Sequence, residues 1–204
     1  MAIPTPHSLL STLNGGKFTV GIFGSAVEPA ESSALSIAKE LGAILGSMGL
    51  NVATGGCLGL PAVVAQIARA AGAQIFGFFP DTNEDEVVKN GRIHANDIES
   101  IYDIKYYAQG YTKRSLDMIQ NIDCAIVVGG RIGTLSEWTI ALEEGLPVLV
   151  LSHSGGIASH LKHILSIAKK EFPDNYISFS DDVVLSVTQL ISSVDKNKLK
   201  RIQE

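Results

Sequence analysis

The chain has 204 residues, 46% of them hydrophobic and 18% charged, and a formal net charge of −5 from 16 basic and 21 acidic residues. This balance argues against a general nucleic-acid binder, which normally shows a basic face, and no apolar run approaches the ~20 residues that span a bilayer. The length suits one domain, so we expect residues 1–204 to form a single domain in which 1–16 and 195–204 are peripheral.

Two features of the sequence predict a cytoplasmic location. The N-terminus lacks the basic start that is typical of a secretory signal. The two cysteines, Cys57 and Cys124, are far apart and lie in apolar surroundings, as expected for a protein of a reducing compartment.

Short apolar segments alternate along the chain with longer segments of helical periodicity. Strands are predicted at 17–23, 50–54, 74–79, 123–128 and 147–151. Helices are predicted at 30–48, 60–71, 111–121, 134–144, 159–170 and 181–194. Because the strands are continuous apolar runs separated by helices, we predict an α/β fold: a Rossmann-like, doubly wound parallel sheet with helices on both faces, in three layers.

The segment 81–109 interrupts this alternation with polar residues and an acidic run at 83–86. One short strand is predicted within it, at about 98–104. The segment is either a mobile or ligand-covering element or a plain surface excursion, and the sequence leaves both interpretations open.

Glycine is over-represented, with 20 residues against the roughly 14 that average usage gives for this length. Seven glycines lie in three loops between a predicted strand and a predicted helix: Gly24, Gly55, Gly56, Gly59, Gly129, Gly130 and Gly133. Such loops lie at the carboxyl edge of a parallel sheet, where ligands bind, and glycine lets backbone amides approach an anion beside a helix N-terminus. We therefore predict a phosphate- or nucleotide-binding site formed by these seven glycines with Ser25, Arg131 and Thr134.

The loops lack two better-known phosphate motifs. No Gly-x-Gly-x-x-Gly fingerprint and no Gly-Lys-Ser/Thr ending is present. The pattern therefore favours a mononucleotide or a sugar phosphate as ligand over the ligands of a dehydrogenase or an ATPase.

Glu137 and two arginines are the candidate reacting or charged groups near these loops. Glu137 can face a ligand on the third loop, or it can form a capping box with Thr134, and the residues alone favour the capping box. Arg114 can hold a phosphate with its planar guanidinium or lie in solvent beside Lys113, and the residues alone favour solvent. Arg131 can add charge to the phosphate site or point to solvent, and both remain open.

The other polar residues indicate no further site. Ser25 and Glu28 form a second possible capping box, for which capping is the favoured interpretation. His153, His160 and His163 have no carboxylate or cysteine at ligand spacing, so we expect surface histidines and no metal.

These residues resemble the LOG family, often described as lysine-decarboxylase-like, of Rossmann-like nucleotide-binding proteins. The resemblance spans about 18–151 and includes the loops at 23–25 and 54–60. Its most specific part is 133–137, Gly-Thr-Leu-Ser-Glu, which matches the end of the family motif Pro-Gly-Gly-x-Gly-Thr-x-x-Glu. Arg114 falls at the position of the family's arginine.

The resemblance implies an enzyme that cleaves nucleoside 5′-monophosphates to a free base and ribose 5-phosphate, with Arg114 and Glu137 as its catalytic pair. No cofactor is needed for this reaction. The expected partners are a nucleoside monophosphate or another small phosphorylated ligand and a second copy of the chain in a homodimer, without nucleic acid or membrane. Lysine decarboxylation is not expected, because nothing resembles a pyridoxal-phosphate lysine site.

Four positions depart from the family pattern. Gly129 replaces a proline, Arg131 a glycine, Ser115 the lysine after the arginine, and Ser136 the first of two glutamates. The chain thus lies nearer a divergent branch that also resembles molybdenum-cofactor carrier proteins. The alternative function is a non-catalytic carrier or sensor of a nucleotide-like ligand, and a DNA-processing protein of related fold is disfavoured by the acidic balance.

Overall fold

A seven-stranded parallel sheet forms the centre of the molecule. The structure is a computed structural model that describes residues 18–26, 32–173 and 176–203. The strands are β1 Thr19–Gly24, β2 Asn51–Thr54, β3 Ile75–Phe79, β4 Ile104–Tyr107, β5 Cys124–Val128, β6 Val148–Leu151 and β7 Ile177–Ser180. Their order is β4-β3-β2-β1-β5-β6-β7, and all neighbours pair in parallel.

Eight α-helices of the described residues cover the sheet. They are α1 Ser32–Ser47, α2 Leu60–Ala70, α3 Glu84–Lys89, α4 Ala95–Ile101, α5 Tyr111–Ile119, α6 Ile132–Glu143, α7 Leu161–Ala168 and α8 Val183–Gln203, with two 3-10 helices at Ser152–Ser154 and Gly156–His160. One apolar cluster joins the sheet to α1–α4 and α8, and a second joins it to α5–α7. The predicted three-layer α/β fold with a parallel sheet is therefore confirmed.

The central strands show why they were recognisable as apolar runs. In β5, Ile126 and Val128 pack into the first cluster, whereas Ala125 and Val127 pack into the second. Because both faces of the strand are covered by helices, every residue of β5 is buried and none needs to be polar.

The segment after β3 differs from the prediction. Residues 95–101 form α4, so the strand predicted at 98–104 is wrong in its first part, and the edge strand β4 begins only at Ile104. Ile98 and Ile101 are both fully buried and lie three residues apart, which is the spacing of a helix face. The segment is thus built from two short helices and an edge strand, with apolar side chains that reach the core.

The C-terminal part also adds to the prediction. The strand β7 is not predicted by the sequence pattern, and α8 continues nine residues beyond the predicted end at Val194, to Gln203. The other predicted elements are confirmed with ends that shift by no more than two residues. The expectation for 1–16 lies outside the described residues.

No helix in the described parts of the chain combines the length and the apolar character that a bilayer crossing needs.

Candidate functional site

The strand order reverses between β1 and β5, because β2 lies beyond β1 on one side and β6 beyond β5 on the other. Loops that leave the two strands at such a point diverge and open a crevice at the carboxyl edge. A cleft of about 210 Å³ lies there, and the loops after β1, β2 and β5 all contribute to it. Eight of the twelve predicted site residues line this cleft: Gly24, Ser25, Gly55, Arg114, Arg131, Gly133, Thr134 and Glu137.

Arg114 and Glu137 meet in the cleft as a buried ion pair. Nη1 of Arg114, on α5, donates a hydrogen bond of 2.5 Å to Oε1 of Glu137, on α6. Only 11% and 7% of the two side chains are exposed. Removing two charges from water costs several kcal/mol per ion, so such a pair is weak evidence for stability. A buried pair that lines a cleft is instead a candidate for function.

Burial also affects the acidity of the Glu137 carboxyl. It raises the pKa of the Glu137 carboxyl above the usual range, and the charge and hydrogen bond of Arg114 partly oppose this rise. Nε of Arg114 is buried without a hydrogen-bond partner among the described residues. The guanidinium has five N–H donors, so it keeps a capacity to bind a ligand while it holds Glu137.

Gly55 makes room for the arginine. A Cβ atom at position 55 would lie 2.0 Å from Nη1 of Arg114. The glycine of the second loop is therefore needed because the guanidinium lies directly against its backbone.

Thr134 joins two of the loops rather than capping a helix. Helix α6 begins at Ile132, and Arg131 at its N-cap makes no side-chain capping bond. The Thr134 hydroxyl donates to the Gly24 carbonyl oxygen at 3.1 Å. The capping box of Thr134 and Glu137 is wrong, because Glu137 lies beyond the first helical turn and its carboxylate bonds to Arg114. The second capping box lies outside the described residues, since these do not include Glu28.

Four predicted glycines do not line the cleft: Gly56, Gly59, Gly129 and Gly130. The Gly129 amide already donates to the Ser154 hydroxyl at 2.7 Å, and the Gly130 carbonyl accepts from the Ile157 amide at 2.9 Å. At Gly59, where φ is +83°, a Cβ would lie 2.2 Å from the Ser25 carbonyl oxygen. These contacts shape the loops, and a direct contact of the four glycines with a ligand stays a prediction.

Five lining residues are not among the predicted site residues: the apolar Ile22, Ala26 and Pro61, and the more reactive Cys57 and Tyr111. Tyr111 lies three residues before Arg114 on α5, and this spacing places both on one side of a helix; it was the signal that could have identified the tyrosine. Burial raises the pKa of the Cys57 thiol to about 11, so it is uncharged at neutral pH and is a poor nucleophile.

The three histidines predicted to lie at the surface are not among the residues that line the cleft. His153, His160 and His163 are exposed, as predicted. In the described ranges, no three His, Cys, Asp or Glu side chains lie close enough to hold a metal ion.

The parallel sheet with a cleft at its strand-order reversal defines an α/β protein of the Rossmann-like class. A family model matches residues 17–177, and the chain belongs to the SLOG cluster4 family. The SLOG superfamily includes LOG-like proteins, so the resemblance to a divergent LOG-like branch is confirmed. No curated protein matches the chain.

Several solved structures share the fold. The protein TM1055 is 24% identical, with a TM-score of 0.70 over 86% of this chain and 99% of that one. The molybdenum cofactor carrier protein of Chlamydomonas reinhardtii is 24% identical, with a TM-score of 0.66 over 86% and 99%. DNA processing protein A of Helicobacter pylori, studied for its single-stranded DNA binding, is 15% identical, with a TM-score of 0.66 over 95% and 94%. At these identities the likeness shows the fold alone.

Proposed function

We propose that this protein binds a nucleoside 5′-monophosphate and hydrolyses its N-glycosidic bond, releasing a free base and ribose 5-phosphate. The observation that carries the proposal is the buried Arg114–Glu137 pair in a cleft that three strand-to-helix loops line. These are the two residues at which the chain matches the catalytic pair of the LOG family.

The phosphate is expected at the start of α6. The first amides of a helix have no intrahelical acceptor and attract anions. Gly133 and Thr134 lie in this first turn and line the cleft, with Arg131 at the rim and Ser25 on the facing loop. The volume of about 210 Å³ is below the ~300–1,000 Å³ of typical small-molecule pockets, so it suits a sugar phosphate, with the base toward the opening.

The charge of Glu137 is used in the reaction. Breaking the bond between the base and C1′ of the ribose builds positive charge on the sugar, as in glycoside hydrolysis. The Glu137 carboxylate stabilises this charge and accepts a proton from a water whose oxygen bonds to C1′. The bonding electron pair leaves with the base, which takes up the proton. Arg114 helps to keep Glu137 ionised despite its burial and stabilises the negative charge on the departing base.

A carrier of a nucleotide-like ligand is the second candidate. It is favoured by Arg131, which lines the cleft at a position where the LOG motif has glycine. It is favoured also by the fold shared with a molybdenum cofactor carrier protein. A carrier binds its ligand at the same loops but leaves it intact.

The experiment is incubation with a panel of nucleoside 5′-monophosphates, with free base and ribose 5-phosphate measured separately. We expect equal amounts of the two products from the wild type. Glu137→Gln should lose about 10²–10⁴-fold in turnover, the range of a general base, while nucleotide affinity changes only a few-fold. Glu143→Gln on the same helix is the matched control, because Glu143 is exposed and pairs with Lys170 at the surface.

The outcomes separate the two candidates. Tight binding by the wild type without either product would support the carrier and contradict the hydrolase. Turnover that survives Glu137→Gln unchanged would contradict the role assigned to Glu137. The single domain, the homodimer and the cytoplasmic location stay predictions.

A further inference from the structure

Tyr111 lies at the cleft and has no role in the hydrolysis scheme. Its side chain lines the cleft, yet the residue is 56% exposed. It begins α5, directly after the Gly110 N-cap, and lies one helical turn before Arg114. A large aromatic ring thus lines the same cleft as the buried ion pair and also faces solvent.

The exposed ring is held by a chain of polar contacts. The guanidinium carbon of Arg92 lies 4.8 Å from the Tyr111 ring centroid, and Nη1 of Arg92 donates to the Tyr111 hydroxyl. Nε of Arg92 donates at 3.1 Å to Oδ2 of Asp81. Asp81 is itself buried, at 5% exposure, and its Oδ1 accepts from Nδ2 of Asn90 at 2.6 Å. The ring orientation is therefore fixed from the segment that follows β3.

The contacts that fix the Tyr111 ring have no evident role in the packing of the core. Tyr111 belongs to neither apolar cluster, so the contact of Arg92 with its ring does not serve the packing of either cluster. A ring fixed in advance loses less conformational freedom when a ligand binds to it. Restraint and exposure together are properties of a binding surface for another flat, partly apolar group.

We propose that Tyr111 is the platform on which the base of the nucleotide stacks, with Arg92 and Asp81 as its positioning residues. This inference rests on the proposed function for the nature of the ligand. The cleft volume suits the sugar phosphate, and a base that extends from it toward solvent meets the one exposed ring among the described lining residues. Stacking accepts every base, because each has a π-face. Purines should bind more tightly than pyrimidines, because their larger rings offer more surface for stacking, but selection among the bases should not be strict.

The test compares a ligand that has a base with one that lacks it. Affinities for adenosine 5′-monophosphate and ribose 5-phosphate are measured by calorimetry, in a Glu137→Gln background in which release of the base is slow. Tyr111→Leu should weaken binding of the nucleotide about tenfold, within the range of base–aromatic stacking, and binding of ribose 5-phosphate less than twofold. Tyr111→Phe keeps the ring and should stay within about threefold of the parent for both.

Equal affinity of the parent and the Tyr111→Leu variant for the nucleotide would overturn the proposal, as would a parent protein that does not bind the nucleotide. Should Tyr111→Leu fail to fold, Tyr111→Trp provides a second readout. Its new indole should be quenched by adenosine 5′-monophosphate and not by ribose 5-phosphate, whereas quenching by neither ligand would contradict stacking. If the wild type binds nucleotide without hydrolysing it, the hydrolase proposal fails while the stacking measurement still decides this one.

Discussion

The space at position 55 determines where the Arg114 guanidinium can lie. The Cβ of Gly55→Ala would meet Nη1 of Arg114 at 2.0 Å, and this is the mobile end of a side chain, so the arginine can move instead of the backbone. We expect Gly55→Ala to retain most of its stability but to lose at least about tenfold in turnover, since the Arg114–Glu137 bond is broken. Urea unfolding and steady-state kinetics measure the two effects.

Gly24→Ala is the matched comparison on the neighbouring loop. Its Cβ would lie 2.7 Å from the Val128 carbonyl oxygen, which is backbone of the adjacent strand and cannot move away. This variant should lose about 1–3 kcal/mol of unfolding free energy through overpacking. Equal stability losses in the two variants would contradict the explanation given for Gly55.

Glu137 should make stability depend on pH in an unusual direction for a glutamate. Because burial raises its pKa in the folded state above the ordinary 4.5, the folded protein binds this proton more tightly than the unfolded chain. The stability from this group is full below the unfolded pKa and is lost as pH rises through the folded pKa. The melting temperature of Glu137→Gln, relative to wild type, should therefore rise as pH increases above 4.5. A difference that is constant with pH would show that Glu137 is not destabilised by burial.

The residues of the ion pair were predictable, but their contact was not. The match to the LOG motif identifies Glu137 and Arg114, although the residues alone favoured a capping box and an exposed arginine. Their meeting depends on how α5 packs beside α6 and on the missing side chain at Gly55. Neither the packing of the two helices nor the space at Gly55 can be predicted from the residue pattern of either helix.

At the scale of elements, the sequence pattern predicts the central strands well and the edge strands poorly. Every residue of β2, β3, β5 and β6 is buried, so these strands appear as apolar runs. All residues of the edge strands β4 and β7 are only half-buried, and their mixed sequences contain Lys105 and two serines, Ser178 and Ser180. A strand appears as an apolar run only when helices cover both of its faces, and this cover is incomplete at the edge of a sheet.

The glycine loops show a similar limit. The glycine pattern after β5 predicts a phosphate cradle, yet the Gly129 amide is already bound by Ser154, which belongs to a 3-10 helix after β6. A glycine pattern cannot distinguish an amide that awaits an anion from one that a distant hydroxyl satisfies. All seven glycines were predicted to contact the ligand, but only three of them line the cleft, and their contact with a ligand stays a prediction.

Ser154 should be essential for the shape of the third loop. It is buried, accepts from the Gly129 amide at 2.7 Å and donates to the Leu151 carbonyl oxygen. Ser154→Ala leaves a buried amide unpaired, which costs about 1–3 kcal/mol. Ser159→Ala is the control, since Ser159 also bonds to the carbonyl three residues before it, that of Gly156, but is exposed. Chemical unfolding should show a loss for the first variant and almost none for the second, and equal losses would contradict this role.

At the scale of the whole molecule, the charge of the cleft opposes the charge of the chain. The protein carries −5 overall, whereas Arg114 and Arg131 line the cleft and Glu137 is already paired. A local field of this kind attracts a small anion while the remaining surface repels a long one. The mononucleotide proposed as ligand of this chain would then contrast with the single-stranded DNA bound by DNA processing protein A of Helicobacter pylori, which shares the fold.

This contrast predicts selection against polyanions. A single-stranded DNA chain needs a basic groove along which several phosphates are neutralised. With 16 basic residues against 21 acidic ones, the chain is not expected to form such a groove. We expect oligothymidylate to bind more weakly than about 100 µM at physiological salt, the weak end of non-specific DNA binding, while adenosine 5′-monophosphate binds more tightly. Arg131→Ala should weaken binding of the nucleotide, as measured by calorimetry. It should leave binding of the oligonucleotide unchanged, as measured by fluorescence anisotropy with a labelled oligonucleotide. The opposite result would be oligonucleotide binding that is tight at low salt and falls steeply as salt is added, which indicates that several phosphates are neutralised. That result would place this chain with the DNA-binding members of the fold.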